Sequence, residues 1–415
     1  MNVVIVGAFW FPHGSANAAR IRNFALGLHE CGARVHVISL VPRVRIDGVQ
    51  APRGPLYYEG VSYEGVAPAV VAARGWRDAD RSIPRLGKGL VDKARWFAGL
   101  YAATPLARRR LKDCISRREC DLAFFYDRSA LRMTPLVRLC RACGVTSVLD
   151  VVEVSEHLGS RASPLYWDFA AGTRSTPRLF DGLTVITTGL EAFYRARGCE
   201  NALVVPPIEA WGPAESPAPT GNAAYRLAYV GALHGRDAPE TLFAAVRILA
   251  RRGVPVELAV VGHYDGTERG RRFAALCAAD PLLAGRVRFL GSLGDRALAE
   301  HLAAADGLVL TRRRARTEEL SFPTRLVEHL RYGRPVFVSD VGDVSRYLRH
   351  GRDAVLLPAD DPQRAAEAMA EVIAHPDRGA EIGRRGQEAA ARAFDRRQHA
   401  ARLLDFAAEL QARRA

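Results

Sequence analysis

Short runs rich in Val, Ile and Leu alternate in this chain with longer stretches where apolar residues recur every three or four positions. Such runs predict the strands of a parallel sheet, and the longer stretches predict the covering helices. In the first half the runs are Val3–Val6, Arg34–Leu40, Leu122–Tyr126, Ser147–Val152, Leu183–Ile186 and Leu203–Val205. Between the first two, Ile21, Phe24, Ala25 and Leu28 share one face of a predicted helix over 18–30. The pattern then restarts at Leu227–Val230, Val256–Val261, Val287–Leu290, Leu308–Leu310, Val336–Val338 and Ala354–Leu357. Two such series predict two doubly wound, Rossmann-like α/β domains of similar size, facing each other across a cleft. Pro206-Pro207, Pro213, Pro217 and Pro219 interrupt the pattern between them. Proline fixes φ and breaks both helix and ladder, so the expected division is 1–206, a linker at 207–222, and 223–394. A helix-prone tail follows at about 395–415, and single chains of this type often end with a helix that crosses back to the first domain.

Composition narrows the class. The chain has 415 residues, 48% hydrophobic and 25% charged, the balance of a soluble protein of two or three domains. No run approaches the roughly 18 apolar residues that span a bilayer. The start, MNVVIVGAFWF, enters a strand pattern without a basic leader, so a signal peptide is not expected and a cytoplasmic location is. The 7 cysteines are scattered; Cys140 and Cys143 form a lone C-x-x-C with no second pair, which favours reduced thiols over a metal or redox centre. Lys+Arg exceed Asp+Glu by 59 to 45, a net charge of +14. That charge suits anionic partners, but it is spread along the chain without a nucleic-acid-binding motif, so nucleic acid is not an expected partner. The one local cluster, Arg108, Arg109, Arg110, Lys112, Arg117 and Arg118, follows the aromatic stretch Trp96–Ala107. The 96–118 segment therefore reads either as peripheral contact with an anionic membrane surface or as a buried helix with a solvated basic end.

P-loop, G-x-G-x-x-G and G-x-S-x-G motifs are all missing, which disfavours NTPases, dinucleotide enzymes and α/β-hydrolases. Two other loops suit anions. After the first strand, Phe11-Pro12-His13-Gly14-Ser15-Ala16-Asn17 lets backbone approach a ligand at Gly14 and leads into a helix start; Asn17 or Ser15 could equally be its N-cap. In the second half, Ser321-Phe322-Pro323-Thr324-Arg325 opens a helix that should follow the strand Leu308–Leu310. With Pro323 in its first turn, its free N–H groups and Arg325 suit a diphosphate. Glu328, one turn on, could accept from both hydroxyls of a ribose or be a solvated surface charge.

Residues 320–340, LSFPTRLVEHLRYGRPVFVSD, resemble the donor segment of glycosyltransferase family 4, in the branch carrying F-P-T-[KR]-L-x-E-[YH]-L-x-x-G-[KR]-P-V. Gly231-Ala232-Leu233 with Arg236-Asp237, then Val260-Val261-Gly262, Phe289-Leu290-Gly291 and Ala304-Ala305-Asp306, are similar to further family positions. The first half adds weaker matches at Pro12-His13-Gly14 through Arg20, Tyr126-Asp127-Arg128-Ser129 and Asp150-Val151-Val152-Glu153.

The resemblance implies a GT-B fold and a retaining, metal-independent transferase with no cofactor beyond a nucleotide-sugar co-substrate. Its acceptor would be a glycan, a lipid-linked molecule or a small molecule, in bacterial glycan or glycoconjugate biosynthesis. Donor contacts then fall on Ser321, Phe322, Thr324, Glu328 and Gly231, and the acceptor or phosphate loop on Gly14, Asn17 and Arg20. Two departures stand out. The first glutamate of the family's E-x7-E falls on Leu320, with Glu318 and Glu319 out of register. The family's phosphate lysine is absent, leaving Arg236 and Arg325 as replacements. No Asp-x-Asp sits at a strand end, since Asp78-Ala79-Asp80 falls in a polar loop, so these arginines are expected to stabilise the leaving diphosphate. Glu153 is the first-domain carboxylate expected near the reacting centre, or a cap or ion-pair residue. The alternatives are a tailoring enzyme of a small natural product, a nucleotide-sugar 2-epimerase, and a non-catalytic GT-B subunit, the last suggested by Leu320.

Overall fold

A computed structural model of the chain describes residues 1–14, 16–45, 55–72, 90–154, 161, 164–212, 223–231, 233, 236–264 and 266–414. Ser15, Asp78–Asp80, Ala232, the linker prolines Pro213, Pro217 and Pro219, and the side chains of Trp96 and Phe97 lie outside the described residues. Two compact units divide the chain: Met1–Ala210 with Asp395–Ala415, and Trp211–Phe394.

The first unit runs β1 (Asn2–Gly7), α1 (Ala16–Glu30), β2 (Arg34–Arg45), β3 (Leu56–Tyr58), β4 (Val61–Ala72), α2 (Leu90–Ser116), β5 (Leu122–Tyr126), α3 (Ala130–Ala142), β6 (Thr146–Val151), α4 (Pro164–Leu179), β7 (Gly182–Val185), α5 (Thr188–Arg195) and β8 (Ala202–Val204). Its sheet has the order β3-β4-β2-β1-β5-β6-β7-β8. All pairings are parallel except β3 with β4. Val3, Val4, Ile5 and Val6 of β1 are all fully buried, and Ile5 lies in register with Val37 and Phe124. Such two-sided burial explains why β1 reads as an unbroken apolar run. Ile21, Phe24, Ala25 and Leu28 of α1 are likewise buried, as their spacing predicts. In the β3–β4 hairpin Tyr57, Glu59, Gly60, Ser62 and Glu64 interleave the apolar positions, Pro68 interrupts the apolar stretch 66–72, and β3 is the edge of the sheet.

The second unit continues with β9 (Tyr225–Val230), α6 (Pro239–Arg251), β10 (Val256–Val261), α7 (Glu268–Ala279), β11 (Val287–Gly291), α8 (Asp295–Ala304), β12 (Gly307–Leu310), α9 (Arg316–Glu319), α10 (Thr324–Leu330), β13 (Val336–Ser339), α11 (Val344–Tyr347), β14 (Val355–Leu357), α12 (Pro362–Ala374) and α13 (Pro376–Ala393). Its sheet has the order β11-β10-β9-β12-β13-β14, with every pairing parallel.

The last helix, α14 (Arg396–Ala412), belongs to the first unit. Ala400, Leu403, Ala407 and Leu410 form its buried stripe, packed into the same core as Ile21, Phe24 and Leu28. Gly27 admits the helix, because a Cβ there would stand 2.7 Å from the Arg396 carbonyl oxygen. The first unit also extends past the expected boundary at 206. Asn23 Nδ2 donates to the Ile208 carbonyl at 2.8 Å, and the Arg396 amide donates to the Glu209 carbonyl at 2.9 Å. Among the described residues no helix is long and apolar enough to cross a membrane.

Within the second unit, α10 buries His329 to 1% exposure, and its Nδ1 has no hydrogen-bond partner among the described residues. Burial, then the charge of Arg325, pulls this imidazole down to about 3. The folded state therefore holds His329 neutral while an unfolded chain protonates it below about pH 6.5, so stability falls as the pH drops from 6.5 toward 3. Its share of the loss is about 2 kcal/mol between pH 7 and pH 5. His329→Gln should flatten the pH dependence by that amount in urea titrations at the two pH values; parallel slopes for the two proteins would show that His329 does not titrate on unfolding.

Candidate functional site

Outside the carboxyl ends of a doubly wound sheet, a ligand crevice opens where the strand order reverses. In the second unit that point lies between β9 and β12, and in the first between β1 and β5.

After β9 the backbone turns at Gly231, whose amide donates to the Val261 carbonyl at 2.9 Å. A Cβ on Gly262 (φ 143°) would stand 2.0 Å from the Gly231 carbonyl oxygen, so this crossing requires glycine. Two residues on, Leu233 is fully buried with φ 53°, an uncommon conformation for a non-glycine residue. Asp237 pairs with Arg312 in an antiparallel bridge, joining the loop after β9 to the loop after β12. Arg312 Nη1 then donates to Glu318 Oε2 at 2.6 Å, and Arg236 Nε stands 3.9 Å from Glu318 Oε1. Ser321 Oγ donates to the Glu318 carbonyl at 3.2 Å. Glu318 itself is 3% exposed. Tyr229 closes the cluster from below; burial and then the neighbouring Asp237 carboxylate hold its phenol well above the usual range, against the charges of Arg325 and Arg312.

Several expected donor residues take other positions. The α10 helix starts at Thr324, so Pro323 is its N-cap rather than a first-turn residue, and no side chain caps it. Phe322 is 4% exposed, with its ring among those of Tyr347 and Phe394 at 5.8 and 5.7 Å. Its side chain is thus part of the core of the second unit, and Ser321 is buried with its hydroxyl engaged by Glu318. Thr324, Arg325 and Glu328 are exposed on α10. Leu320 is the C-cap of α9. Thr311 and Arg312 went unread in the sequence, although they directly follow the run Leu308–Leu310 at the carboxyl end of a strand. A cavity of about 230 Å³ lined by Arg226, Glu257, Arg288 and His301 opens at the opposite, amino-terminal edge of this sheet, away from the crevice.

In the first unit, Gly14 has φ 153° and a Cβ there would stand 2.9 Å from Trp10 Cβ. Asn17 is exposed, and its Oδ1 accepts from Tyr126 Oη at 2.9 Å. Arg20 departs from expectation. It is 7% exposed and points inward, with Nε and Nη2 on the two Asp150 oxygens at 2.6 and 2.8 Å. Its nitrogens also donate to the Pro206 and Val205 carbonyls at 2.9 and 3.1 Å, and Thr184 Oγ1 adds a 2.7 Å bond to Asp150. Arg20 is therefore a strut between α1, β6 and the end of β8, not a loop residue facing a ligand. Glu153 lies beyond the carboxyl end of β6 in an ion pair with Arg128 at 3.0 Å, both side chains about a quarter exposed. Beside it, Asp127 accepts a two-pronged pair from Arg132 at 2.7 Å each. Asp168 accepts from Ser129 Oγ at 2.5 Å and Tyr101 Oη at 2.6 Å, and burial pushes the Tyr101 phenol up to about 12. On α2, Leu100, Ala103, Ala107 and Leu111 are buried while Arg108, Arg109, Arg110 and Lys112 are exposed. Burial also pushes the Cys140 thiol up to about 12.

Residues 224–375 match the family model described as glycosyl transferases group 1. D-inositol 3-phosphate glycosyltransferase of Gordonia bronchialis is 30% identical over 163 residues, which cover 38% of this chain and 34% of that protein. The chain thus spans about a third of the length of that curated relative. GDP-mannose-dependent alpha-(1-6)-phosphatidylinositol monomannoside mannosyltransferase of Mycobacterium tuberculosis is 23% identical over 389 residues, 87% of this chain and 94% of that protein. Among solved structures, sucrose-phosphate synthase of Thermosynechococcus elongatus superposes with a TM-score of 0.68 at 17% identity, covering 99% of this chain and 100% of that one. Anabaena HepE in complex with UDP gives 0.63 at 16% identity, covering 98% and 100%. The fold is GT-B. In this GT-B chain the matched stretch 224–375 contains the whole crevice cluster of the second unit, from Gly231 through Glu328.

Arg20→Ala should cost the first unit about 3–5 kcal/mol, because it strands the buried Asp150 carboxylate. Chemical denaturation measures this directly, and a loss below about 1 kcal/mol would return Arg20 to a ligand-facing role.

Proposed function

We propose that this chain is a glycosyltransferase that takes a sugar from a nucleoside-diphosphate sugar, with retention of configuration and without a metal ion. The observation that carries the reading is the crevice at the β9/β12 reversal, where Arg236 and Arg312 converge on Glu318, within a stretch matching glycosyl transferases group 1. The names of the relatives, one GDP-mannose-dependent and one structure in complex with UDP, support a nucleotide donor.

A nucleoside diphosphate leaves with growing negative charge. Guanidinium groups already held near that charge stabilise it without reorganising, and they present paired donors that match phosphate oxygens. Arg236, Arg325 and Arg312 supply such groups on the carboxyl side of the sheet. Glu328, exposed on α10, is assigned to the ribose diol. With retention, the leaving phosphate can itself take the acceptor proton, so no strong side-chain base is needed. Glu153, paired with Arg128 at the carboxyl end of β6, is the assigned first-unit carboxylate. The acceptor is a glycan, lipid-linked or small molecule, and relatives named for inositol phosphate and phosphatidylinositol substrates favour a polar cyclic acceptor. The exposed arginines of α2 suit peripheral contact with an anionic membrane face from the cytoplasmic side.

Uridine, guanosine or thymidine diphosphate should raise the melting temperature in EDTA. At about 100 times its dissociation constant, a ligand adds roughly 2.7 kcal/mol. Stabilisation that requires Mg²⁺ or Mn²⁺ would remove the metal-free mechanism, and turnover of the donor without any acceptor would favour an epimerase.

Glu328→Gln should weaken a ribonucleotide donor more than its 2′-deoxy counterpart, since a hydroxyl bonding to a charged acceptor contributes about 1.5–3 kcal/mol. Equal losses for the two donors by calorimetry would show that Glu328 does not read the 2′-hydroxyl.

A further inference from the structure

We propose that Glu318 is a positioning residue for the diphosphate, and that Arg312 and Thr311, which follow β12, are diphosphate-binding groups that it organises. The proposal rests on the nucleotide-sugar reading above. A carboxylate buried to 3% is costly unless paired, and Glu318 is paired: Arg312 Nη1 lies at 2.6 Å and Arg236 Nε at 3.9 Å. Among the described residues the Arg312 fork is engaged through Nη1. Its Nε is buried without a hydrogen-bond partner among the described residues, as is Thr311 Oγ1 in the preceding position. The Arg312 backbone is pinned as well, its amide donating to Ser339 Oγ at 2.9 Å and its chain bridged to Asp237. Two unsatisfied polar groups in adjacent positions at the carboxyl end of a switch-point strand call for a polar ligand with several acceptor oxygens. A diphosphate meets that need, and a guanidinium held at one end by a carboxylate presents its remaining N–H groups in a fixed direction.

Glu318 lies two residues before Leu320, which occupies the site of the missing family glutamate. Gly342 (φ 57°) keeps this short turn seated, since a Cβ there would stand 2.9 Å from the Ser321 carbonyl oxygen and 3.2 Å from that of Glu318. The carboxylate is thus presented from α9, beneath the arginines.

The sign of a single measurement separates positioning from proximity. A carboxylate that merely lies near the phosphate site repels the ligand, so its removal tightens binding. A carboxylate that orients the guanidinium groups does the reverse. Calorimetry on the full chain with uridine and guanosine diphosphates, and with the matching unphosphorylated nucleosides, reads both. Glu318→Ala should weaken the diphosphate at least tenfold and leave the nucleoside unchanged. Glu318→Gln, which keeps an oxygen for Arg312 Nη1, should fall between it and wild type. Thr311→Val, nearly isosteric and free of the buried charge, should weaken the diphosphate several-fold without lowering the melting temperature, and it carries the test if Glu318→Ala does not fold. Unchanged or tighter diphosphate binding in Glu318→Gln, or wild-type affinity in Thr311→Val, overturns the proposal. Equal weakening of nucleoside and diphosphate overturns it too, because that marks general loosening. If wild type binds no nucleoside diphosphate at all, the donor reading itself fails, an outcome that the wild-type titration alone separates from failure of the Glu318 proposal.

Discussion

Two-sided burial of parallel strands is the constraint from which the rest of this molecule follows. A parallel ladder needs a crossover helix for each strand, and those helices cover both faces of the sheet. Val3–Val6 in one unit and Leu308–Leu310 in the other are consequently sealed from solvent. Chemistry can then occur only at strand ends, and the carboxyl ends at the point of reversed order are where loops separate and leave room. Gly231, Arg236, Thr311, Arg312 and Glu318 gather there in the second unit because β9 and β12 are neighbours in the sheet but distant in sequence.

Charge inside the fold is handled by pairing, and the pairs divide by what surrounds them. Arg20 with Asp150 is closed: both carboxylate oxygens and three guanidinium nitrogens are engaged within the first unit. Arg132 engages both Asp127 oxygens through Nε and Nη2, while its Nη1 is buried without a described partner. Arg312 with Glu318 is open, since Arg312 Nε is buried without a described partner. A closed pair tells of structure, and an open one at a switch point tells of a ligand. The same distinction separates Glu318 from Glu381, whose exposed bonds to Arg384 and Arg385 form a solvated helix surface.

Glycine placement links the strands to the site. Gly262 allows the end of β10 to lie against the Gly231 carbonyl, and Gly342 admits the turn that carries Glu318. Each is a backbone approach that any Cβ would block, so the positions of the arginines depend on residues with no side chain at all. Gly27 does the same for the first unit by admitting α14, which brings the end of the chain into the core built around α1.

Apolar runs and helical spacing were enough to define the second sheet and the first sheet apart from β3 and β4, since burial on two faces leaves a signature that needs no knowledge of neighbours. Val3–Val6, Leu122–Tyr126, Leu308–Leu310 and the face of α1 are of this kind. β3 and the start of β4 left no such run, because polar residues and Gly60 mix into positions 57–64, and Pro68 interrupts the apolar stretch 66–72. Side-chain direction was beyond the sequence altogether. Arg20 and Arg236 are alike as letters, yet one points into a core beside Asp150 and the other stands half-exposed near Glu318. Phe322, within the most family-like segment, joined an aromatic core because Tyr347 and Phe394 come to it from later in the chain. Local sequence determines which segments are strands and helices. The long-range register of the sheet decides which charges meet, because only folding brings the ends of β9 and β12 side by side.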